Sequence, residues 1–188
     1  MTDAKEIARY IVSYYSSAGD DDLTHMKLHK LLYYIQAECL KYVKRVAFKE
    51  EIEAWPHGPV VRSVYTKYLV YKNSVIEIPE KERIYTLDDK DILDIVNKVI
   101  AEKGQYNAKI LRNMSHQEKA WQLAYKEGEK NKITIESVSK HLDRKKYTLD
   151  LDAIEDVGDL MICLDSEREQ KNDPTTYTWE DIKAANGL

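Results

Sequence analysis

Thr24-His25-Met26-Lys27-Leu28-His29-Lys30-Leu31-Leu32-Tyr33-Tyr34-Ile35-Gln36-Ala37-Glu38-Cys39 is the strongest periodic segment of this 188-residue chain. Leu28, Leu31, Leu32, Ile35 and Cys39 follow steps of three and four, which predicts an amphipathic helix with Thr24 as its N-cap. The same pattern predicts that Lys27, Lys30 and Lys41 face water. Tyr33 and Tyr34 stand about 100 degrees apart around a helix axis, so one ring should pack inward and the other flank it, unless both are core.

Working outward, Ile7, Ile11 and Val12 with Tyr10, Tyr14 and Tyr15 predict a helix over residues 3–16, ended by Ser16, Ser17 and Gly19. Downstream, Glu51-Ile52-Glu53-Ala54-Trp55 alternates like a short extended piece, and Pro56-His57-Gly58-Pro59 reads as a tight turn. Pro59 is expected to open the next helix, since its missing N–H costs nothing at a first helical position, with Val60, Val64 and Tyr68 as the buried stripe. Ser74 to Pro79 reads as an extended or hairpin-like connection. Ile92, Ile95, Val96, Val99 and Ile100 predict a helix that stops at Gly104 in the left-handed conformation. Tyr106 to Asn113 has room for two turns. Ser115-His116-Gln117-Glu118 reads as a capping box introducing Trp121, Leu123 and Ala124, with Gly128 behind it, and Thr134 caps Ile135, Val138 and Leu142. The expectation is a mainly α, compact multi-helix domain over residues 1–142 with a minor extended or hairpin element.

Residues 143–188 have a different character. Ile154, Val157, Met161 and Leu164 form one apolar stripe, and acids largely fill the rest of that helical pattern. A polar link then leads to Tyr177-Thr178-Trp179-Glu180-Asp181-Ile182. The segment carries twelve acids and six bases, a charge of −6, within a chain of −4 overall, leaving +2 for residues 1–142. It reads as an acidic amphipathic appendage that folds back on the core, pairs with a second copy, or lies in a groove of another protein. A surface of this charge balance does not suit DNA binding by the chain alone.

The same arithmetic excludes other classes. Six glycines and four prolines are too few for a turn-rich β protein, and helices are the default. No apolar run reaches the roughly 18 residues of a membrane span, and Met1-Thr2-Asp3 opens directly into an amphipathic pattern, so a cytosolic protein is expected. Cys39 and Cys163 lack CxxC spacing and read as reduced core thiols. His25 and His29 have the i, i+4 spacing of a zinc pair, but the intervening Met26-Lys27-Leu28 lacks the HExxH glutamate and places a lysine beside any cation. No phosphate-binding glycine loop or nucleophile elbow occurs, and His57 and His116 have no partner nearby in sequence. No enzyme activity, metal or cofactor is expected.

Two blocks carry a resemblance. Lys27-Leu28-His29-Lys30-Leu31-Leu32-Tyr33-Tyr34, then Ile52-Glu53-Ala54-Trp55-Pro56-His57-Gly58-Pro59-Val60-Val61 with Val64, Tyr65 and Tyr68, resemble the paired signature of the Panacea domain. This is the SocA-like antitoxin family, first described in phage-associated proteins of prophage type. Ser115-His116 with Trp121 and the segment 133–142 resemble that domain's closing helices, so the likeness spans about residues 4–142. His29 stands where the family usually has glutamine, and both side chains can hydrogen-bond from that helix edge. The resemblance implies an antitoxin of a toxin–antitoxin system, which neutralises a cognate protein toxin by direct contact. A proteolytic adaptor that hands the toxin to an ATP-dependent protease, or a promoter-binding autorepressor, are the alternatives it allows.

Several family toxins handle RNA, and such a toxin is expected to expose a basic surface, to which the acidic appendage is suited. Candidate contact residues are Trp55, His57 and Arg62 around the turn and Ile154, Val157, Met161, Tyr177, Trp179 and Ile182 in the appendage. For Trp55 and its turn, a purely structural corner is the competing reading.

Overall fold

The computed structural model describes residues 2–19 and 22–141. It is mainly helical, with a small antiparallel sheet. Helix α1 (Ala4–Ala18) starts at Asp3, whose carboxylate accepts from the Glu6 amide while Glu6 reaches back to the Asp3 amide, a reciprocal capping box. Helix α2 (His25–Tyr42) is capped as expected by Thr24, whose side chain accepts from the Lys27 amide. It packs against α1, against strand β2 (Gly58–Val61), and against the helices α3 (Arg62–Tyr68), α4 (Lys90–Lys103), α5 (Ala108–His116) and α7 (Ile135–Lys140).

That central position overturns one expectation. Over residues 27–37 the helix is buried on every side and has no water-facing stripe: Lys27 and Lys30 are 0% and 1% exposed, leaving only Lys41, in the last turn, partly in solvent. Lys27 is held by the Asp22 carboxylate and by the main-chain oxygen of Gly104. Tyr33 and Tyr34 are both buried, and Gln36 spends its amide on the main chain of Ala47 and Phe48. Cys39 is buried as expected, and burial pushes its thiol pKa up.

The alternating stretch is strand β1 (Ile52–Trp55), paired antiparallel with β2 in the register Ile52 to Val61, Glu53 to Val60, Ala54 to Pro59 and Trp55 to Gly58. Only Pro56 and His57 lie in the turn. Pro59 therefore sits in a strand and not at a helix start. The strand order β2-β1-β3 makes β2 an edge, where a residue without an N–H can be tolerated. Helix α3 begins three residues later without a side-chain cap. Strand β3 (Lys132–Ile133), which the sequence reading missed by assigning Ile133 to a closing helix, pairs Ile133 with Ile52.

Two further expectations are corrected. Ser115 and His116 do not cap a helix but end α5, whose cap is Asn107, accepting from the Ile110 amide at 2.9 Å. Helix α6 (Lys119–Ala124) then starts after Glu118 with no side-chain cap. Gly104 has φ −64°, not a left-handed value, and its smallness is needed for space, because a Cβ there would lie 2.6 Å from the Tyr15 hydroxyl. Ser74 to Pro79 forms no strand or hairpin and makes one isolated bridge, Val75 to Thr24. Thr134 caps α7 as expected, and Gly128 is left-handed. The expected appendage over 143–188 lies outside the described residues. Among the described residues no helix is long and apolar enough to cross a membrane.

Candidate functional site: the hairpin and the end of α5

Short strands carry few ladder bonds, so the β1–β2 hairpin depends on what lies beneath and beside it. Beneath are α2 and α5. Gly58 has φ +95°, and a Cβ on it would meet Ser115 Oγ at 2.5 Å and Lys30 Cε at 2.7 Å. Glycine is thus required there twice, for its conformation and for the close approach. Lys30 Nζ donates to the Pro59 main-chain oxygen at 3.3 Å, and Ser115 Oγ donates back to the Arg112 oxygen at 2.7 Å.

Beside the hairpin lies a chain of rings. His25 and His29 have centroids 4.8 Å apart, and Tyr65 lies 4.9 Å from His25 and 4.7 Å from Trp55. The Val61 amide donates to His29 Nδ1 at 3.3 Å, which assigns the His29 proton to Nε2. His29 Nε2 then donates to His25 Nε2, 3.1 Å away, and His25 in turn donates to the Tyr65 main-chain carbonyl. His29 thus forms a hydrogen bond through each ring nitrogen. Burial first, and the Lys30 charge second, lower both pKa values, that of His29 well below the ordinary histidine range. Among the described residues no three His, Cys, Asp or Glu side chains gather where a metal ion could be held.

The exposed side of the hairpin is organised by Glu53. Its carboxylate accepts from Arg62 Nε and Nη2, both at 2.9 Å, and from Trp55 Nε1 at 2.7 Å. Burial alone would raise the Glu53 pKa, but these three donors hold it below the usual carboxylate value. Two cations approach the Trp55 ring, Lys130 at 4.3 Å from its centroid and Arg62 at 5.8 Å. Arg62 is 56% exposed and His57 stands exposed at the turn. An open groove of about 480 Å³ runs alongside, lined by Glu50, Glu51, Glu53, Arg62, Ser63 and Thr66. Its carboxylates are engaged: Glu50 accepts from the Ala4 amide and Glu51 pairs with Lys132.

On the other side of the turn, His116, Trp121 and Tyr125 form a three-ring stack, with centroids 4.1 Å and 4.6 Å apart and planes 7° and 13° from parallel. Burial, followed by the charges of Arg112, Lys30 and His57, lowers the His116 pKa to about 4, against a hydrogen bond to the Pro56 carbonyl that works the other way. Burial, followed by the charge of Arg112, lowers the Lys30 pKa to about 7.

Of the residues singled out by sequence, the structure joins Trp55 and Arg62 through Glu53 and leaves His57 at the tip. Ile154, Val157, Met161, Tyr177, Trp179 and Ile182 lie outside the described residues. Sequence reasoning missed Glu53, Tyr65, Lys130, Lys30 and Arg112. A signal for Lys30 was present: apolar residues occur on every side of α2, which marks an enclosed helix whose lysines must find partners inside.

The family model described as "Antitoxin SocA-like, Panacea domain" matches residues 28–122, which runs from the first buried turn of α2 to just past Trp121. No curated protein and no solved structure matches the chain. The matched stretch is narrower than residues 4–142, but it contains α2, the hairpin and α5, and its extent of half the chain makes this protein a member of the SocA-like antitoxin, Panacea-domain family.

Proposed function

We propose that the chain is an antitoxin that neutralises a cognate protein toxin by direct contact and carries out no covalent chemistry itself. The family match over residues 28–122 carries the reading. The hairpin adds physical support. An indole with two cations close to its ring and an exposed arginine bonded to Glu53 are the residue types that anchor protein interfaces, and holding them still lowers the entropy lost on binding. The acidic segment 143–188, with its charge of −6, suits a toxin with a basic surface.

The test is to purify the protein encoded beside this gene and mix it with the full chain at equal stoichiometry, with no other component. Loss of the toxin's activity together with a stable complex on gel filtration supports masking. A toxin that stays active in the mixture, and is lost in cells only when an ATP-dependent protease is present, overturns masking in favour of an adaptor.

A further inference from the structure

Cations that this fold draws inward are matched by carboxylates at several places: Lys27 by Asp22, Lys98 by Glu38 and Arg45 by Asp89. The end of α5 breaks that pattern. Arg112 and His116 stand four residues apart and share one side of the helix. Arg112 Nε and His116 Nε2 are both buried without a hydrogen-bond partner. Lys30, 1% exposed, comes up from α2 under the hairpin, where the Pro59 carbonyl takes one of its protons. The charges that bear on His116 are those of Arg112, Lys30 and His57, and that of Arg112 bears on Lys30, so each is basic. Glu118, two residues beyond His116, bears on Tyr33 and Lys103.

We propose that the end of α5 and the underside of the hairpin form a binding site for a single oxoanion, a carboxylate or phosphate group held by Arg112, His116 and Lys30. Orphaned buried polar atoms and gathered like charges are both unfavourable, and one oxoanion relieves both. Its oxygens accept from Arg112 Nε–H and balance the Lys30 ammonium. His116 gives its one neutral-state proton to the Pro56 carbonyl, so Nε2 offers a lone pair that an anion repels. Binding therefore draws a proton from solvent onto His116 Nε2, which then donates to the anion. Lys30, half charged near neutrality, becomes fully charged in the same event. Arg112 and His116 are partly exposed, so the ligand enters from solvent between the turn and α5. The assignment does not depend on the partner's being a toxin.

The test uses the full chain with ¹⁵N-labelled histidine, titrated with inorganic phosphate and separately with acetate, ionic strength being held constant with chloride. The expected result is a saturable shift of the His116 ring resonances, an upward move of its titration midpoint from about 4, and quenching of indole emission as the imidazolium forms on Trp121. Affinity should rise as the pH falls from 8 to 6. Response to phosphate alone assigns a phosphoryl group, and response to acetate assigns a carboxylate such as a protein side chain or terminus. Arg112→Gln should weaken binding at least tenfold, and His116→Gln, read by indole emission and calorimetry, serves if that variant does not fold. No shift with either anion at tens of millimolar, or an equal shift with chloride or in Arg112→Gln, overturns the proposal.

Discussion

Trp121 Nε1 donates to the main-chain oxygen of Trp55 at 3.2 Å. That bond ties α6, nearly seventy residues downstream, to the last residue of β1, immediately before the turn. It also joins two aromatic assemblies, the stack His116–Trp121–Tyr125 and the chain His25–Tyr65–Trp55, on either side of a hairpin with few bonds of its own. The hairpin's exposed face is thus positioned by contacts with residues distant in sequence.

Trp121→Phe keeps most of the ring and removes the N–H donor. The expected loss is about 1–2 kcal/mol in a urea titration, the usual cost of deleting one partner of a buried hydrogen bond. Trp121→Ala also removes the wall on which His116 stacks and should cost about 3–5 kcal/mol.

Gly58→Ala tests the approach of the hairpin to α2 and α5. The new methyl would need a left-handed backbone at φ +95° and would stand 2.5 Å from Ser115 Oγ. Strain of about 1–2 kcal/mol from the conformation and about 1–3 kcal/mol from overpacking are expected together. Adding Ser115→Gly should recover only some of the second part, since Lys30 Cε would still stand 2.7 Å from the new methyl, and full recovery would show that the conformation costs nothing.

The buried bases give the protein an unusual dependence on pH. His29 and His116 are neutral in the folded state, their pKa values lowered chiefly by burial, whereas in the unfolded chain they take up protons below about 6.5. The unfolded state then binds more protons, so stability falls as the pH drops from about 6.5 toward 4, by up to about 1.4 kcal/mol per pH unit for each group. Lys30 acts with the same sign in a higher window. Its folded pKa of about 7 lies below its unfolded value of 10.5, so stability rises from pH 7 toward 10. Urea midpoints measured across pH 5 to 10 should climb to an alkaline maximum, and Lys30→Met should flatten the upper limb. A maximum near pH 6 in the parent chain would contradict the burial of these groups in neutral form.

The parts of the fold that could be read from sequence are those set by local chemistry. The caps at Thr24 and Thr134 and the stripes of α1, α2 and α4 need only side-chain periodicity and a nearby backbone donor. Failures occur where distant residues decide. Pro59 suits a first helical turn equally well by itself, and only pairing with Ala54 on a sheet edge makes it a strand residue. Ser115-x-x-Glu118 has the spacing of a capping box, but Asn107 starts the helix earlier and Ile110, Leu111 and Met114 hold that frame in the core. Lys30 and Arg112, 82 positions apart, meet only because α5 packs on α2 under the turn, and no spacing rule encodes that meeting.

Arg62→Ala separates the structural from the binding role of the hairpin face. The pair with Glu53 is more than half exposed on the arginine side, and solvent-screened pairs of that kind contribute little to stability. The Glu53 carboxylate, 12% exposed, would retain the Trp55 indole as a donor, so only a small fall in the urea midpoint is expected. If the hairpin is the toxin contact, affinity for the toxin should nevertheless drop at least tenfold, because truncating a fixed arginine in an interface removes area and charge that the free protein does not depend on. His57→Ala, at the exposed tip, should weaken binding less and leave the midpoint unchanged. The acidic segment supplies the contrast: serine at Ile154, Val157 and Met161 together should reduce toxin affinity at least tenfold if that stripe also lies on the toxin. Calorimetry with the purified toxin distinguishes the two surfaces. An unchanged affinity in Arg62→Ala with a tenfold loss in the serine variant would move the contact from the hairpin to residues 143–188, and the reverse would leave the hairpin as the binding face.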